Sequence, residues 1–553
     1  MKRLYYLAVL TVFLQAMPAR ADNCPIIPRP LKVERAEGTF PLSRETAITL
    51  ENGADAQGAA YYFQQQVLDR TGIALAVSAQ PQVDGQVIRF RVEEAAALDG
   101  DAYRIKMDKG TILLEAADEQ GLFQAGVSLL QLIDHAPRTG KAVPLPCWNL
   151  QDAPRFGWRG LMLDESRHFF GKEKVKQLLE WMAYYKLNVF HWHLTDVDGW
   201  RIEIKEYPRL TLVGGIGNHS DPNAAARYYT QEDIREIIRY AAERHIEIIP
   251  EIDMPGHATA ANRAYPRFSG GGSARFPDFT FNPGLEGTYG YLTDILRSVN
   301  TLFPSQKIHI GGDEVHFGNA HWNVDTAVQT LMKRHHLNDL RAVEHYFIRR
   351  MADSVAMLRN ELLGWDEIVD AALPAENTVV FWWRHDKPEQ FRKAIAAGYR
   401  VVVCPRIPYY FDFVQDSSHR IGRKWQGDFV PIQRVYHYPA DELLEQPGAE
   451  TQVLGVQANL WTEQLSAPQQ LEYMLFPRIA ALAESAWTPP GQKDYADFSG
   501  RLRHHLRGFA AAGLYYFDPF QPQRFPEYQD AVQRLKSNVD TDTQTKLETQ
   551  GNR

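Results

Sequence analysis

Two adjacent carboxylates behind two glycines, Gly311-Gly312-Asp313-Glu314, are the residues best placed to do chemistry in this chain. They follow Lys307-Ile308-His309-Ile310, which alternates like a buried strand. The glycines allow a close backbone approach or turn where a side chain would clash. Asp313 and Glu314 therefore stand at a strand's carboxyl end, where parallel α/β sheets build their sites, and either could act as a general acid or base. A solvated loop pair of acids would look the same in isolation.

The other apolar runs repeat the pattern. Beyond Asp152-Ala-Pro154, eight strand-like segments alternate with helical periods: Gly160–Leu163, Asn188–Leu194, Glu247–Pro250, Lys307–Ile310, Glu361–Leu363, Thr378–Phe381, Arg400–Val403 and Gln452–Val456. Helical stretches such as Lys172–Tyr185, Gln231–His245 and Tyr289–Phe303 lie between them. This order predicts an α/β fold with a (β/α)8 TIM barrel. Acids or aromatics follow every run: Asp164 and Arg167, His193 and Asp196, Glu251, Asp253 and His257, Asp313 and Glu314, Trp365 and Asp366, Trp382 and Trp383, Tyr410 and Asp412, Trp461 and Glu463. Carboxylates that bind hydroxyls beside rings that stack on C–H faces describe a sugar pocket.

The positioning elements divide into segments. Residues 1–21 read as a signal peptide, with Lys2 and Arg3, the apolar run Leu4–Met17 and an Ala19-Arg20-Ala21 cleavage site, so an exported protein, periplasmic or secreted, is expected. Residues 22–152 read as a smaller α+β domain, with strands at Val87–Val92, Tyr103–Met107 and Thr111–Glu115 and a helix at Gly121–Ile133. Its end is marked by Pro144-Leu-Pro146. Residues 153–519 form the barrel and 520–553 a polar tail. In 553 residues there are only three cysteines, Cys24, Cys147 and Cys404, too few for a disulfide framework or a cysteine metal site, though one bridge stays open. A net charge of −8 makes no electrostatic case for nucleic acid or an anionic membrane, and no later apolar run is long enough for membrane insertion.

Six blocks then make the sequence resemble glycoside hydrolase family 20, the β-N-acetylhexosaminidases. They are Trp158-Arg-Gly-Leu-Met-Leu-Asp164-Glu-Ser-Arg167, His191-Trp-His193-Leu-Thr-Asp196, Pro250-Glu-Ile-Asp253-Met-Pro-Gly-His257, His309-Ile-Gly-Gly-Asp313-Glu314, Gly364-Trp365-Asp-Glu367 and Leu460-Trp461-Thr-Glu463. The resemblance implies an exo-acting, retaining glycosidase that releases terminal β-linked N-acetylhexosamine from glycans without a cofactor. It implies substrate assistance, with the 2-acetamido oxygen attacking C1. By the same resemblance Glu314 is the acid/base with a raised pKa and Asp313 orients the acetamide. Tyr410 donates to the acetamide oxygen, and Trp365, Trp383 and Trp461 wall it. Arg159 and Glu463 bind the C3 and C4 hydroxyls, Asp412 with Trp425 the C6 hydroxyl, and Asp196 and His257 form a relay to Glu314. Val197-Asp198 before Gly199-Trp200 departs from the family's usual Asp-Gln, leaving Asp196 in place. Two rivals stand beside this reading. One is a metal-dependent barrel hydrolase built on His191, His193, His257 and Asp313; the other is a catalytically silent sugar-binding protein.

Overall fold

The computed structural model describes residues 24–529, except 52–55, 79–84, 94–99, 139 and 440, together with the backbone of 539–541. The signal peptide expected at 1–21 lies outside the described residues, as does most of the tail.

Eight parallel strands close into a barrel: β1 Trp158–Asp164, β2 Val189–His193, β3 Glu247–Met254, β4 Lys307–Gly311, β5 Glu361–Trp365, β6 Thr378–Trp382, β7 Arg400–Val403 and β8 Val453–Leu460. All eight expected runs are present, and β8 pairs with β1 to close the ring. Strand register sets the height of the polar side chains. Asp164 pairs with His193, His193 with Glu251, and Glu251 with His309, so four polar residues occupy one layer near the carboxyl end. Helices clad the outside because their apolar positions recur at helical spacing. The helix Gln231–Ala242 buries Ile234, Ile237 and Ala241, and a reciprocal capping box between Thr230 and Asp233 starts it.

The smaller domain is a seven-stranded mixed sheet, ordered Lys32–Leu42, Val143–Asp152, Tyr103–Met107, Thr111–Ala116, Val87–Val92, Ala47–Glu51 and Ala76–Ser78. The prolines expected to mark its end lie inside a strand instead. Pro144 and Pro146 pair only with Lys32–Leu42, because the strand Tyr103–Met107 on the other side engages only residues 149–152. A proline can be accommodated where one flank of the strand has no partner. The helix Glu119–His135 lies between this sheet and the barrel, and the Gln131 amide bridges Ile27 and the Tyr184 carbonyl.

Arg159 requires a correction. It begins β1 at the amino end of the barrel, and its side chain is fully buried there. Nη2 lies 2.8 Å from Asp101 of the smaller domain, and Nε and Nη1 donate to the carbonyls of Lys186 and Phe156. Beside it Lys186 pairs with Asp152 at 3.2 Å and sits over the Trp487 ring. Arg159 thus joins the two domains and cannot reach the barrel mouth. The cysteines are buried and unpaired, and among the described residues no helix is long and apolar enough to cross a membrane.

After the barrel the chain returns to its mouth. The Glu527 carboxylate accepts from the backbone N–H groups of Arg420 and Ile421 (2.5 and 3.1 Å), and Val539–Thr541 pairs in parallel with Gly422–Lys424. The tail therefore holds the long loop after β7.

Removing the Arg159 guanidinium leaves the buried Asp101 carboxylate without its counter-charge, held by the amides of Gln120 and Gln124. Arg159→Met is expected to cost about 3–5 kcal/mol of stability, measured by urea unfolding. A cost below about 1 kcal/mol would show that the pair does not join the domains.

Candidate active site

A cleft with about 380 Å³ of empty space opens at the carboxyl ends of the strands. Local backbone geometry puts the two acids there. Gly311 and Gly312 have φ of 69° and 89°, and a Cβ on Gly311 would fall 1.8 Å from the Asp253 carboxylate. Glu314 and His257 both take left-handed φ of 54°, a conformation that non-glycine residues adopt at a cost. The surrounding barrel imposes it on two facing side chains.

His257 is the centre of the charge arrangement. Its Nδ1 lies 2.9 Å from Asp196, and its Nε2 lies 3.6 Å from both Asp313 and Glu314. Burial alone would lower the imidazole's pKa, but Asp196, Asp253 and Asp313 together hold it well above the usual range. The protonated ring reverses the expectation for Glu314. Burial pushes that carboxyl up, yet the close charge of His257, helped by Arg406, brings it below its ordinary value. The raised acids are its neighbours. Burial and the charge of Asp253 raise Asp313, while burial and nearby carboxylates push Asp253 up to about 8.

The walls are aromatic. Trp383 and Tyr410 stack with planes 10° apart, and Trp461 stands 6.0 Å from Tyr410. The Trp-Asp-Glu motif after β5 explains how Trp383 is aimed: its N–H donates to Asp366 and its indole N–H to Glu367. Trp365 lies one layer deeper, 5.9 Å from Trp461, and donates to Glu251. Glu251 also receives His193 at 2.5 Å and has His191 and His309 at 3.0 Å, which makes it the floor that fixes the rings above. Trp425 packs on Arg406, which also lies over Trp383.

On the opposite wall Arg167 contacts Asp196 at 2.6 Å and Asp164 at 3.3 Å, and lies over the Trp461 ring. Arg423 lies 2.7 Å from Glu463 and 3.5 Å from Asp412. Burial raises the Glu463 pKa, but Arg423 and Arg167 outweigh it and hold the carboxyl at about 2. Asp412 is pushed up to about 7, mainly by burial.

Of the residues singled out by sequence, Asp196, His257, Asp313, Glu314, Trp383, Tyr410, Trp461 and Glu463 line this cleft together. Trp365, Asp412 and Trp425 support them from behind, and Arg159 is at the far end. Arg167 lines the cleft where Arg159 does not; its position after β1, like that of Asp253 at the end of β3, was the available signal. Arg423 carried none, since it sits far along an irregular loop.

Among the described residues, three groups have donor atoms close enough to hold a metal: His191, Glu251 and His309; His193, Asp196 and Asp253; and Asp253, His257 and Asp313. In the first two, Glu251 and Asp196 are already engaged by His193, which burial would discharge but which those two acids hold protonated. A protonated imidazole has no lone pair for a metal, which removes His193 from the second group; in the first, burial lowers His191 to about 4 and leaves that ring neutral, but Glu251 is shared with His193.

The sequence profile of "Glycosyl hydrolase family 20, catalytic domain" matches residues 156–490, and that of "Glycosyl hydrolase family 20, domain 2" matches residues 23–153. The chain belongs to glycosyl hydrolase family 20. A β-hexosaminidase of Porphyromonas gingivalis is 32% identical over 526 residues, covering 90% of this chain, which spans 65% of that relative's length. One from Vibrio furnissii is 35% identical, covering 84% of this chain and 77% of its own. A β-N-acetylhexosaminidase of Cellulomonas fimi is 30% identical, with 87% and 93% covered. Among solved structures, the family 20 exo-β-N-acetylglucosaminidase of Vibrio harveyi in complex with N-acetylglucosamine superposes with a TM-score of 0.83 at 32% identity, covering 90% of this chain and 79% of that one. The β-N-acetylhexosaminidase of Streptomyces coelicolor gives 0.77 at 28%, with 91% and 99% covered. The family 20 match extends over both domains, so the smaller module is part of the family's build.

Asp253 supplies a stability test. Its folded pKa, about 8, lies above the unfolded value near 3.8. Between these pH values the native state keeps a proton that the unfolded state has lost, so this group's contribution to stability falls as pH rises. Asp253→Asn, neutral throughout, should lose less stability than the parent between pH 4.5 and 8 in paired thermal melts. Parallel curves would mean that Asp253 is ionised in the fold.

Proposed function

We propose that this chain uses Asp313 and Glu314 to release terminal, non-reducing β-linked N-acetylhexosamine from glycans with retention of configuration. The enzyme is a glycoside hydrolase of the β-N-acetylhexosaminidase type. The observation that carries the residue roles is one protonated His257 placed equally, at 3.6 Å, from both acids. Asp313 and the Tyr410 hydroxyl hold the acetamide, with Trp461 and Trp383 around it, so that its oxygen stays near C1. That oxygen bonds to C1 while the glycosidic C–O bond breaks, and the Glu314 proton goes to the departing oxygen. The resulting oxazolinium is positive, and Asp313 stabilises it. Water then adds to C1, gives its proton to Glu314 and restores the acetamide.

The relay reconciles an acid role with a lowered Glu314 pKa. Asp196 keeps His257 charged, and His257 shares its proton with Glu314 as negative charge builds on the leaving oxygen. The paired carboxylates and Arg on the opposite wall bind the ring hydroxyls, Glu463 with Arg167 toward C3 and C4, and Asp412 toward C6. The amino-terminal basic, apolar and Ala-x-Ala sequence supports export to the periplasm or medium.

Glu314→Gln is expected to lower kcat by about 10²–10⁴-fold on natural glycans and much less on activated aryl glycosides, which need little protonation. Equal losses on both would remove the acid role. For the nucleophile, changing acetamido to trifluoroacetamido should slow hydrolysis severely, and a C2-hydroxyl glycoside should scarcely react. Indifference to fluorination, or a trapped glycosyl ester on Asp313, would replace substrate assistance by direct carboxylate attack. Chelator treatment should leave the rate unchanged; loss of activity restored by zinc would favour the metal reading.

A further inference from the structure

Arg423 takes no part in the proton transfers or in the attack on C1, yet its guanidinium stands inside the cleft between two acids. Nη2 lies 2.7 Å from Glu463 Oε1, and Nε lies 3.5 Å from Asp412 Oδ2. Those acids are the ones assigned to the C4 and C6 side of the sugar. A carboxylate only accepts hydrogen bonds and a guanidinium only donates them, whereas a hydroxyl does both. The order acceptor, donor, acceptor, running from Glu463 on the wall through Arg423 to the buried Asp412 behind it, therefore fixes which way a hydroxyl must face. Its proton goes to a carboxylate while its lone pair meets the arginine.

The other arginine of this wall is committed elsewhere. Arg167 holds Asp196 and Asp164 and reaches Glu463 only at 4.0 Å. Arg423 is also aimed in advance. Its backbone N–H donates to the Asp412 carbonyl, its carbonyl accepts from Val414, and the residues just before it are held by Glu527. The segments carrying Asp412 and Arg423 are thus tied to each other, which makes the row of charges a built arrangement.

We propose that Arg423 is a specificity-determining residue that reads the C4 and C6 hydroxyls of the terminal sugar together with Glu463 and Asp412. The inference rests on the hexosaminidase function proposed for this cleft. Arg423→Met and the milder Arg423→Lys are compared with the unaltered enzyme on aryl β-glycosides of N-acetylglucosamine, its C4 epimer, and the 4-deoxy and 6-deoxy sugars. A charge-assisted hydrogen bond supports about a tenfold or larger loss in kcat/KM for Arg423→Met on the preferred parent sugar. On the deoxy sugar that lacks the hydroxyl it contacts, the loss should shrink to about twofold or less. Discrimination between the C4 epimers should narrow by the same factor, and the leaving-group dependence should stay unchanged. Arg423→Lys should show the same pattern at smaller size. Equal losses on all four sugars in both variants, or no loss at all, would overturn the proposal. Failure of the unaltered enzyme to hydrolyse any of the N-acetylhexosaminides would instead overturn the hexosaminidase function itself.

Discussion

Five carboxyl groups, Asp196, Asp253, Asp313, Glu314 and Glu463, meet in one cleft with three cationic side chains, Arg167, His257 and Arg423. That imbalance is the constraint on which the site depends. Buried like charges cannot all ionise without opposite charge nearby. The cleft divides the burden: Arg167 and Arg423 keep Glu463 ionised, His257 favours the ionised form of Asp196 and Glu314, and Asp253 and Asp313 are left with raised pKa values. A reaction that develops positive charge beside Asp313 relieves the imbalance at the moment of its transition state. Electrostatic preorganisation of this kind costs no rearrangement during the reaction.

The layer below makes the division rigid. Glu251 sits under the cleft with three histidines and an indole gathered around it, and the strand register sets His193 and His309 at its own height. His193 faces both Glu251 and Asp196, so the acid floor and the catalytic relay share one side chain. A histidine cluster that looks like a ligand set in sequence therefore serves to hold proton positions and ring orientations.

What was legible in the sequence was local. Two glycines and two acids at the end of an alternating run can be read without knowing the neighbours, and so can eight such runs in order. Distance along a strand was harder to judge. Arg159 and Arg167 fall in one block of sequence, yet β1 has seven residues at roughly 3.3 Å each, so the two guanidinium groups stand at opposite ends of the barrel. Depth was also hidden: Trp365 and Trp425 belong to the right wall but form its backing, since stacked rings share the same composition at either layer. Arg423 was illegible because a long irregular loop has no period, and its partners are Asp412, earlier in that same loop, and Glu463, which follows β8. The strand containing Pro144 and Pro146 was missed for a related reason: a neighbour reaches only part of it, and no local pattern reports that.

The tail bears on how the protein is handled. Glu527 and the pairing of Val539–Thr541 with Gly422–Lys424 place the end of the chain against the loop that presents Arg423. Residues 539–541 thus brace the loop that carries Arg423. With the role proposed for Arg423, an affinity tag, a fusion joint or a proteolytic nick at 539–541 would act first on which sugar is accepted, while the acid pair on its barrel strand is left in place.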